Sequence, residues 1–437
     1  MNTPICDFVQ EYNEKKMSRL HMPGHKGMPF LGCEDLDITE ISGADSLYEA
    51  DGIIAESEKN AAELFGSKAS FYSAEGSTQC IKAMLYLAKK GSDKRTVLAP
   101  RNAHKAFLHA CALLDLDVRW LYAEGSKTSL CSCTVSAETV KAELSRGDVL
   151  AVYITSPNYL GEIADIASLA DICHSFSVPI LADNAHGAYL RFLNKGLHPL
   201  ECGADMCCDS AHKTLPVLTG GAYLHIGKNA PEKFVKGAKN ALSLFGSTSP
   251  SYLIMQSLDL CNKYIADDYE EKLADFASFM EKTLEGIDEV CLNEPLKITV
   301  DGAKMGYIGG NIGDILRKSG FEPEMTDGYY AICMVTPQNS RDEIEKLADL
   351  LRNIPRKAPI DKKLVSDPRG EKKMSIREAF MAESETVLAE NSVGRICAEV
   401  IAPCPPAIPI AVSGEKISRE CAELLKACGI ERLEVVK

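Results

Sequence analysis

The stretch Val178-Pro179-Ile180-Leu181-Ala182-Asp183-Asn184-Ala185-His186 decides the fold class, because an apolar run ends abruptly in polar residues. A continuous apolar run of this kind is typical of a strand that is buried on both faces of a parallel sheet. Similar runs at 96–99 and 149–155 are separated by helical patterns such as 103–114. Strands that alternate with helices in this way predict an α/β fold with a mainly parallel sheet.

Composition and charge exclude several classes of protein. The chain has 437 residues and a formal net charge of -14, which disfavours a nucleic-acid binder because phosphates attract basic surfaces. No apolar run approaches the roughly 20 residues needed to cross a bilayer. Residues 1–17 are polar and lack the apolar segment of a signal peptide. We therefore expect a cytoplasmic protein without a membrane or nucleic-acid partner.

The seventeen cysteines do not predict a metal site. Most are scattered singly through apolar stretches, and the close groups at 131–133 and 207–208 lack the ligand spacing of a zinc site. Free cysteine is usually a small buried hydrophobe. We expect reduced, mostly structural cysteines and no bound metal.

The pattern divides the chain into an N-terminal arm, a large domain, a small α+β domain and a C-terminal segment: 1–50, 51–265, 266–355 and 356–437. The arm is rich in Gly, Pro and Asp and shows no long helical period. A long helical pattern at 252–284 predicts a helical connection between the two domains. The apolar pattern at 305–312 predicts a strand of the small domain.

Asp183 and Lys213 carry the most informative chemistry. Asp183 ends a buried strand, and Lys213 precedes another predicted strand; ligands of open parallel sheets bind at the carboxyl ends of strands. A carboxylate there can keep a pyridine nitrogen protonated, a charged pyridine ring is the electron sink of pyridoxal phosphate (PLP), and a lysine can form the Schiff base. Ser210 and His212 could donate to its phosphate. Taken singly, Asp183 could cap a turn and Lys213 could be a solvated charge.

Two further motifs favour the cofactor site. Gly76-Ser77-Thr78 lies between a predicted strand and a predicted helix, where glycine and first-turn amides suit an anion; Ser and Thr are also ordinary helix N-caps. His104, in Asn102-Ala103-His104-Lys105, could stack on the pyridine ring or simply pack in the core.

The chain resembles the prokaryotic ornithine/lysine/arginine decarboxylase family in its short form. The matching segments run in order through nearly the whole chain: 21–27, 37–45, 65–66, 76–78, 101–105, 183–188, 210–216, 247–252 and 405–409. The resemblance implies an aspartate-aminotransferase-like PLP fold and the decarboxylation of arginine, lysine or ornithine to the corresponding amine. Another PLP-dependent reaction and a non-catalytic PLP-binding relative stay open as alternatives.

The resemblance also implies a role for each matching residue. Lys213 would hold the cofactor, Asp183 would pair with the pyridine nitrogen, His104 would stack on the ring and His186 would lie beside it. A second set would surround the phosphate: Gly76, Ser77, Thr78, Ser210 and His212. Ser247, or Thr248 beside it, would reach the phosphate of the neighbouring subunit, which implies a homodimer with shared active sites. Lys213 or His212 would return a proton to Cα.

Several positions depart from the family's pattern or leave the substrate contact open. Cys404 stands where the family usually has Tyr, Gly220-Gly221 where a Gln or other larger residue is usual, and Ala211 where Thr is common. A carboxylate near the end of the chain would bind the distal cation of the substrate, and we favour Glu399 over Glu415 because it precedes the Pro-rich turn. A surface carboxylate is an equal alternative for Glu399.

Overall fold

The computed structural model describes residues 1–365, 367–403 and 406–437. Its α-helices are α1 (Pro4–Glu14), α2 (Ile53–Phe65), α3 (Gly76–Lys89), α4 (Lys105–Leu114), α5 (Ala137–Ser145), α6 (Ile166–Ser175), α7 (Ala211–Thr214), α8 (Glu232–Ser243), α9 (Tyr252–Tyr264), α10 (Glu270–Leu284), α11 (Gly302–Met305), α12 (Gly309–Lys318), α13 (Arg341–Asn353), α14 (Ile376–Met381) and α15 (Arg419–Ala427). Its strands are β1 (Ala69–Ser73), β2 (Thr96–Pro100), β3 (Asp117–Leu121), β4 (Val149–Thr155), β5 (Ile180–Asp183), β6 (Met206–Asp209), β7 (Ala222–Ile226), β8 (Val290–Cys291), β9 (Lys297–Asp301), β10 (Met325–Thr326), β11 (Tyr330–Met334), β12 (Glu371–Lys372), β13 (Ser384–Leu388), β14 (Glu415–Lys416) and β15 (Arg432–Val436).

One compact unit comprises residues 1–88 and 181–275. Its strands lie in the order β1, β7, β6, β5. Strands β5 and β6 are parallel, whereas β7 is antiparallel to both of its neighbours. All residues of β5, β6 and β7 are buried, which agrees with the continuous apolar runs of the sequence and with a sheet covered on both faces.

The other compact unit comprises residues 89–180 and 276–437. Strands β4, β2 and β3 lie side by side and are parallel. A separate antiparallel sheet has the order β10, β11, β9, β8. Near the end of the chain, β12 pairs with β14 and β13 pairs with β15, both antiparallel. The combination of parallel strands, covering helices and small antiparallel sheets confirms the predicted α/β class.

The structure corrects three local expectations. Helix α1 lies within the region expected to lack a long helical period, and buried Asp259 accepts from the backbone N–H of Ile5 at 2.9 Å at its start. Residues 305–312 are not a strand: α11 ends at Met305, and α12 begins at Gly309. The helical pattern of 252–284 is confirmed, but a π-helical segment, Ile265–Tyr269, separates α9 from α10.

No helix within the described residues combines the length and the apolar character that crossing a membrane requires.

Candidate active site

Lys213 lies in the short helix α7, directly after strand β6. Its side chain is half-buried, and its Nζ lies 3.0 Å from His186 Nε2. Because the ammonium group of lysine only donates, the ring nitrogen of His186 is the acceptor when Lys213 is protonated. The structure thus brings together two residues that the sequence placed in one site.

Asp183 is the buried last residue of β5, where the polypeptide turns toward His186. Its Oδ1 accepts from the backbone N–H of Ala185 at 3.2 Å and from the thiol of Cys208 at 3.6 Å. Cys208 is the partner of Asp183 in the parallel register of β5 and β6. Burial and the nearby Asp183 charge raise the pKa of the Cys208 thiol well above its usual range, so this thiol keeps its proton and donates.

The N-terminus of α3 lies where the sequence predicts the phosphate side of the site. Gly76 begins the helix at φ +69, and a Cβ built on it would meet nothing within 4 Å, so the space in front of it is open. The Ser210 hydroxyl donates to Ser77 Oγ at 2.8 Å, which places both hydroxyls beside the first turn. Thr78 is exposed on the same turn. First-turn amides have no intrahelical partner and attract an anion.

Gly220 and Gly221 support this turn and His212 through their carbonyl groups. The Gly76 N–H donates to the Gly220 carbonyl at 2.7 Å, and His212 Nδ1 donates to the Gly221 carbonyl at 3.0 Å. Gly220 has φ +99, and a Cβ on Gly221 would lie 2.3 Å from Val217 Cγ1. The left-handed φ of Gly220 and the close Val217 side chain at Gly221 both disfavour a larger residue, which gives this departure from the family's pattern a local structural reason.

His212 is held as a neutral ring. Burial lowers its pKa, and the charge of Lys213 adds to this effect. Because the Nδ1 proton faces the Gly221 carbonyl, Nε2 is the nitrogen left to act as an acceptor.

Ser247 is exposed, and its backbone N–H donates to Glu75 Oε1 at 3.3 Å in the same chain. Glu75 directly precedes Gly76, so the segment that contains Ser247 lies next to the helix start of its own subunit. The contact with a neighbouring subunit's phosphate stays a prediction.

The remaining predicted residues belong to the other compact unit. His104 is the N-cap of α4, and its Nδ1 accepts from the backbone N–H of Ala106 at 3.1 Å. Glu399 is exposed. Cys404 lies outside the described residues.

Glu415 has a buried partner that the sequence did not suggest. Its Oε1 accepts from Arg101 Nη1 at 3.0 Å and from Trp120 Nε1 at 3.0 Å. The guanidinium of Arg101, whose side chain is 1% exposed, lies 4.6 Å from the Trp120 ring centroid. Glu415 is thus half of a buried ion pair, which fits a structural role better than a surface one.

Comparison with known protein families identifies the family of the chain. The model of the Orn/Lys/Arg decarboxylase major domain matches residues 3–286, and the model of that family's C-terminal domain matches residues 362–429. The chain belongs to the Orn/Lys/Arg decarboxylase family. The resemblance drawn from the motifs is therefore confirmed.

Named relatives of this Orn/Lys/Arg decarboxylase family member span almost the whole chain. The arginine decarboxylase of Halalkalibacterium halodurans is 30% identical, over 95% of this chain and 91% of its own length. The arginine decarboxylase of Bacillus subtilis is 27% identical, over 96% and 92%. Among solved structures, lysine decarboxylase A from Pseudomonas aeruginosa superposes with a TM-score of 0.81 at 17% identity, covering 99% of this chain and 80% of that one. This structural likeness confirms the fold.

Sequence reasoning missed the contacts of Asp209, a residue that belongs to none of the quoted motifs. Asn184 donates from Nδ2 to Asp209 Oδ1 at 2.7 Å, and Asp209 also contacts two buried histidines, His198 and His225. A charged residue at the end of the apolar run 206–208 was the available signal, since buried charges require partners.

Proposed function

We propose that the protein is a PLP-dependent decarboxylase of a basic amino acid, with arginine, lysine and ornithine as the candidate substrates. The observation that carries the proposal is the 3.0 Å approach of Lys213 Nζ to His186 Nε2. This contact joins Lys213, the lysine of the segment 210–216, to the turn that also bears Asp183. Family membership and the names of the arginine decarboxylase relatives support the reaction type.

The described residues fit the polar parts of PLP. Lys213 supplies a primary amine, Asp183 supplies a buried carboxylate for the pyridine nitrogen, and the start of α3 supplies hydroxyls and first-turn amides beyond Gly76 for a phosphate. The open space at the Cβ position of Gly76 would let that phosphate approach the backbone. His104 would stack on the ring.

When bound, PLP supplies the electron sink that accepts the electron pair of the bond broken as carbon dioxide leaves. The protein's part is to hold and move protons. Asp183, buried and hydrogen-bonded by the Ala185 amide and the Cys208 thiol, would pair with the pyridine nitrogen. His186 accepts a proton from Lys213 Nζ, which leaves the amine able to act as a nucleophile.

The proton returned to the substrate's Cα is assigned to Lys213 rather than to His212. Burial lowers the pKa of His212, and its Nδ1 proton is already donated to the Gly221 carbonyl. A neutral ring with its proton directed at the backbone is a poor general acid. Lys213 would carry transferable protons at Nζ, and His186 Nε2 lies 3.0 Å from that atom.

The substrate contact and the assembly belong to the proposal as well. Glu399 is an exposed carboxylate suited to a distal ammonium or guanidinium group, whereas Glu415 is already paired with Arg101. Ser247 would serve the neighbouring subunit of a homodimer. The cytoplasm is the proposed location.

Release of carbon dioxide from arginine, lysine and ornithine by the purified protein, supplied with PLP, tests the proposed function. We expect turnover of one of the three, together with the corresponding amine. A visible cofactor band without carbon dioxide release from any of them would contradict decarboxylation. Formation of a keto acid instead would point to transamination.

A further inference from the structure

A buried carboxylate lies directly beside the proposed site without belonging to any of its motifs. Asp209 is the last residue of β6, immediately before Ser210, and its side chain is fully buried. Burial raises the pKa of this carboxyl group, but the imidazoles of His198 and His225 outweigh burial and hold the pKa well below its usual range. Asp209 is therefore an ionised group in the protein interior, where a charge requires close partners.

Both carboxylate oxygens of Asp209 have such partners. Oδ1 accepts from Asn184 Nδ2 at 2.7 Å and from the Cys207 thiol at 3.4 Å. Oδ2 lies 3.0 Å from His198 Nε2 and 3.3 Å from His225 Nε2. The carboxylate thus links the turn after β5, through Asn184, to strands β6 and β7, through Cys207 and His225. It also contacts His198, which lies between β5 and β6.

Hydrogen bonds account for this cluster better than a metal ion does. His198, Cys207 and Asp209 have potential ligand atoms within 4.8 Å of one another. However, the Cys207 thiol already donates to Asp209 Oδ1 at 3.4 Å, whereas a metal would bind the thiolate. His198 Nδ1 accepts from the backbone N–H of Leu200 at 3.3 Å, so the ring proton lies on Nε2 and faces Asp209.

Asn184 connects Asp209 to the turn that bears Asp183 and His186. It directly follows Asp183 and lies two residues before His186. Its side chain donates to Asp209, and its backbone N–H donates to the Cys208 carbonyl at 3.0 Å. The turn that bears Asp183 and His186 is therefore attached at two points to β6, the strand that leads into Lys213.

We propose that Asp209 is a positioning residue that fixes the turn of Asp183 and His186 against the strand that leads into Ser210 and Lys213. This inference rests on the proposed function, because its consequence is the relative placement of the groups that would hold PLP. Misplacement of about 1 Å can cost on the order of a hundredfold in rate.

Asp209→Asn is the direct test. The amide keeps the shape of the carboxylate but replaces one oxygen by an NH2 group, which sets a donor against Asn184 or against His198. We expect kcat to fall by about tenfold to a hundredfold with little change in KM. We also expect a shift in the pH at which the absorbance band of the bound cofactor changes.

Asp259→Asn is the matched control. Asp259 is a fully buried carboxylate of the same compact unit, which accepts from the Ile5 amide and the Ser57 hydroxyl. The Asp259→Asn variant should lose thermal stability, while its kcat and its cofactor band should stay as in the wild type. If Asp209→Asn changes stability alone, as this control does, the positioning role is refuted.

Two further measurements keep the proposal falsifiable. If Asp209→Asn does not fold, Asn184→Ala removes the same hydrogen bond and should shift the pH dependence of the band; an unshifted band would contradict the proposal. Stoichiometric zinc in the purified wild type would also overturn it, since the cluster would then be a metal site. A wild type that never acquires a cofactor band contradicts the proposed function itself, whereas a normal wild type with an unaltered Asp209→Asn variant contradicts this inference alone.

Discussion

Lys213 Nζ lies 3.0 Å from His186 Nε2, although the two residues come from different segments of the chain. The contact gives the amine that would hold the cofactor a neighbouring base that can accept its proton. His186 also belongs to the turn that begins at Asp183, so one turn supplies both a proton acceptor and a buried carboxylate.

His186→Ala tests this relationship. Loss of a positioned proton acceptor typically lowers a rate by about 10²–10⁴-fold, so we expect a fall in kcat of that order while the cofactor band is retained. Steady-state kinetics and a visible spectrum measure both effects. The control is His174→Ala, at an exposed histidine in the last turn of α6. Equal kcat values for the two variants would show that His186 has no part in proton transfer.

Gly220→Ala tests whether Gly220 supports the turn at the start of α3 that is proposed to bind the phosphate. Gly220 has φ +99, and a Cβ there would lie 3.0 Å from the Ala74 carbonyl oxygen. We expect a loss of about 1–3 kcal/mol in the free energy of unfolding and weaker cofactor binding, because the Gly220 carbonyl holds the Gly76 amide. Chemical denaturation and cofactor titration check these effects.

The control for that substitution is Gly91→Ala. Gly91 also has positive φ, at +74, but a Cβ there would meet nothing within 4 Å. It should cost stability without weakening cofactor binding. Identical cofactor affinities in the two variants would contradict the supporting role of Gly220.

Arg101→Met tests the buried ion pair with Glu415. The substitution leaves a carboxylate that is 11% exposed without its cation, and the loss of one partner of a buried pair typically costs about 3–5 kcal/mol. Chemical denaturation provides the measurement. By contrast, the exposed pair of Arg95 and Asp115 should contribute about 0–1 kcal/mol, as Arg95→Met would show. If Arg101→Met lowered the free energy of unfolding as little as Arg95→Met does, the ion pair of Arg101 and Glu415 would not contribute to stability as a buried pair.

The pH dependence of stability follows from His225. Burial lowers its pKa below the ordinary 6.5, although Asp209 opposes this effect. Below 6.5 the unfolded chain then binds more protons at this position than the folded protein does, so the contribution of His225 to stability decreases as pH falls. We expect the free energy of unfolding to fall less between about pH 7 and about pH 5 in His225→Asn than in the wild type. Parallel slopes for the two proteins would contradict the assignment.

The sequence predicted those parts of the fold and site that depend on local pattern. Continuous apolar runs identified β4 and β5, and a glycine followed by hydroxyl residues identified the start of α3, because strand burial and helix capping act over a few neighbouring residues. Lys213, Asp183 and His186 were found together because each lies in or just after a strand of one sheet, where carboxyl ends converge.

Long-range partners could not be predicted in the same way. Asp209 contacts Asn184 and two histidines, and Glu415 forms an ion pair with Arg101. Neither the spacing nor the residue types in the sequence predict these contacts. Residues 305–312 were predicted as a strand because an apolar run of that length has no decisive period. In the structure, a left-handed Gly306 ends α11 and separates it from α12.

The most direct test of the central claim is reduction of the PLP-loaded protein with borohydride, followed by peptide mass mapping. If Lys213 holds the cofactor, the reduced pyridoxyl group will be found on Lys213 alone and will be absent from Lys213→Ala. A pyridoxyl group on a different lysine, or none on a protein that nevertheless releases carbon dioxide, would contradict the account.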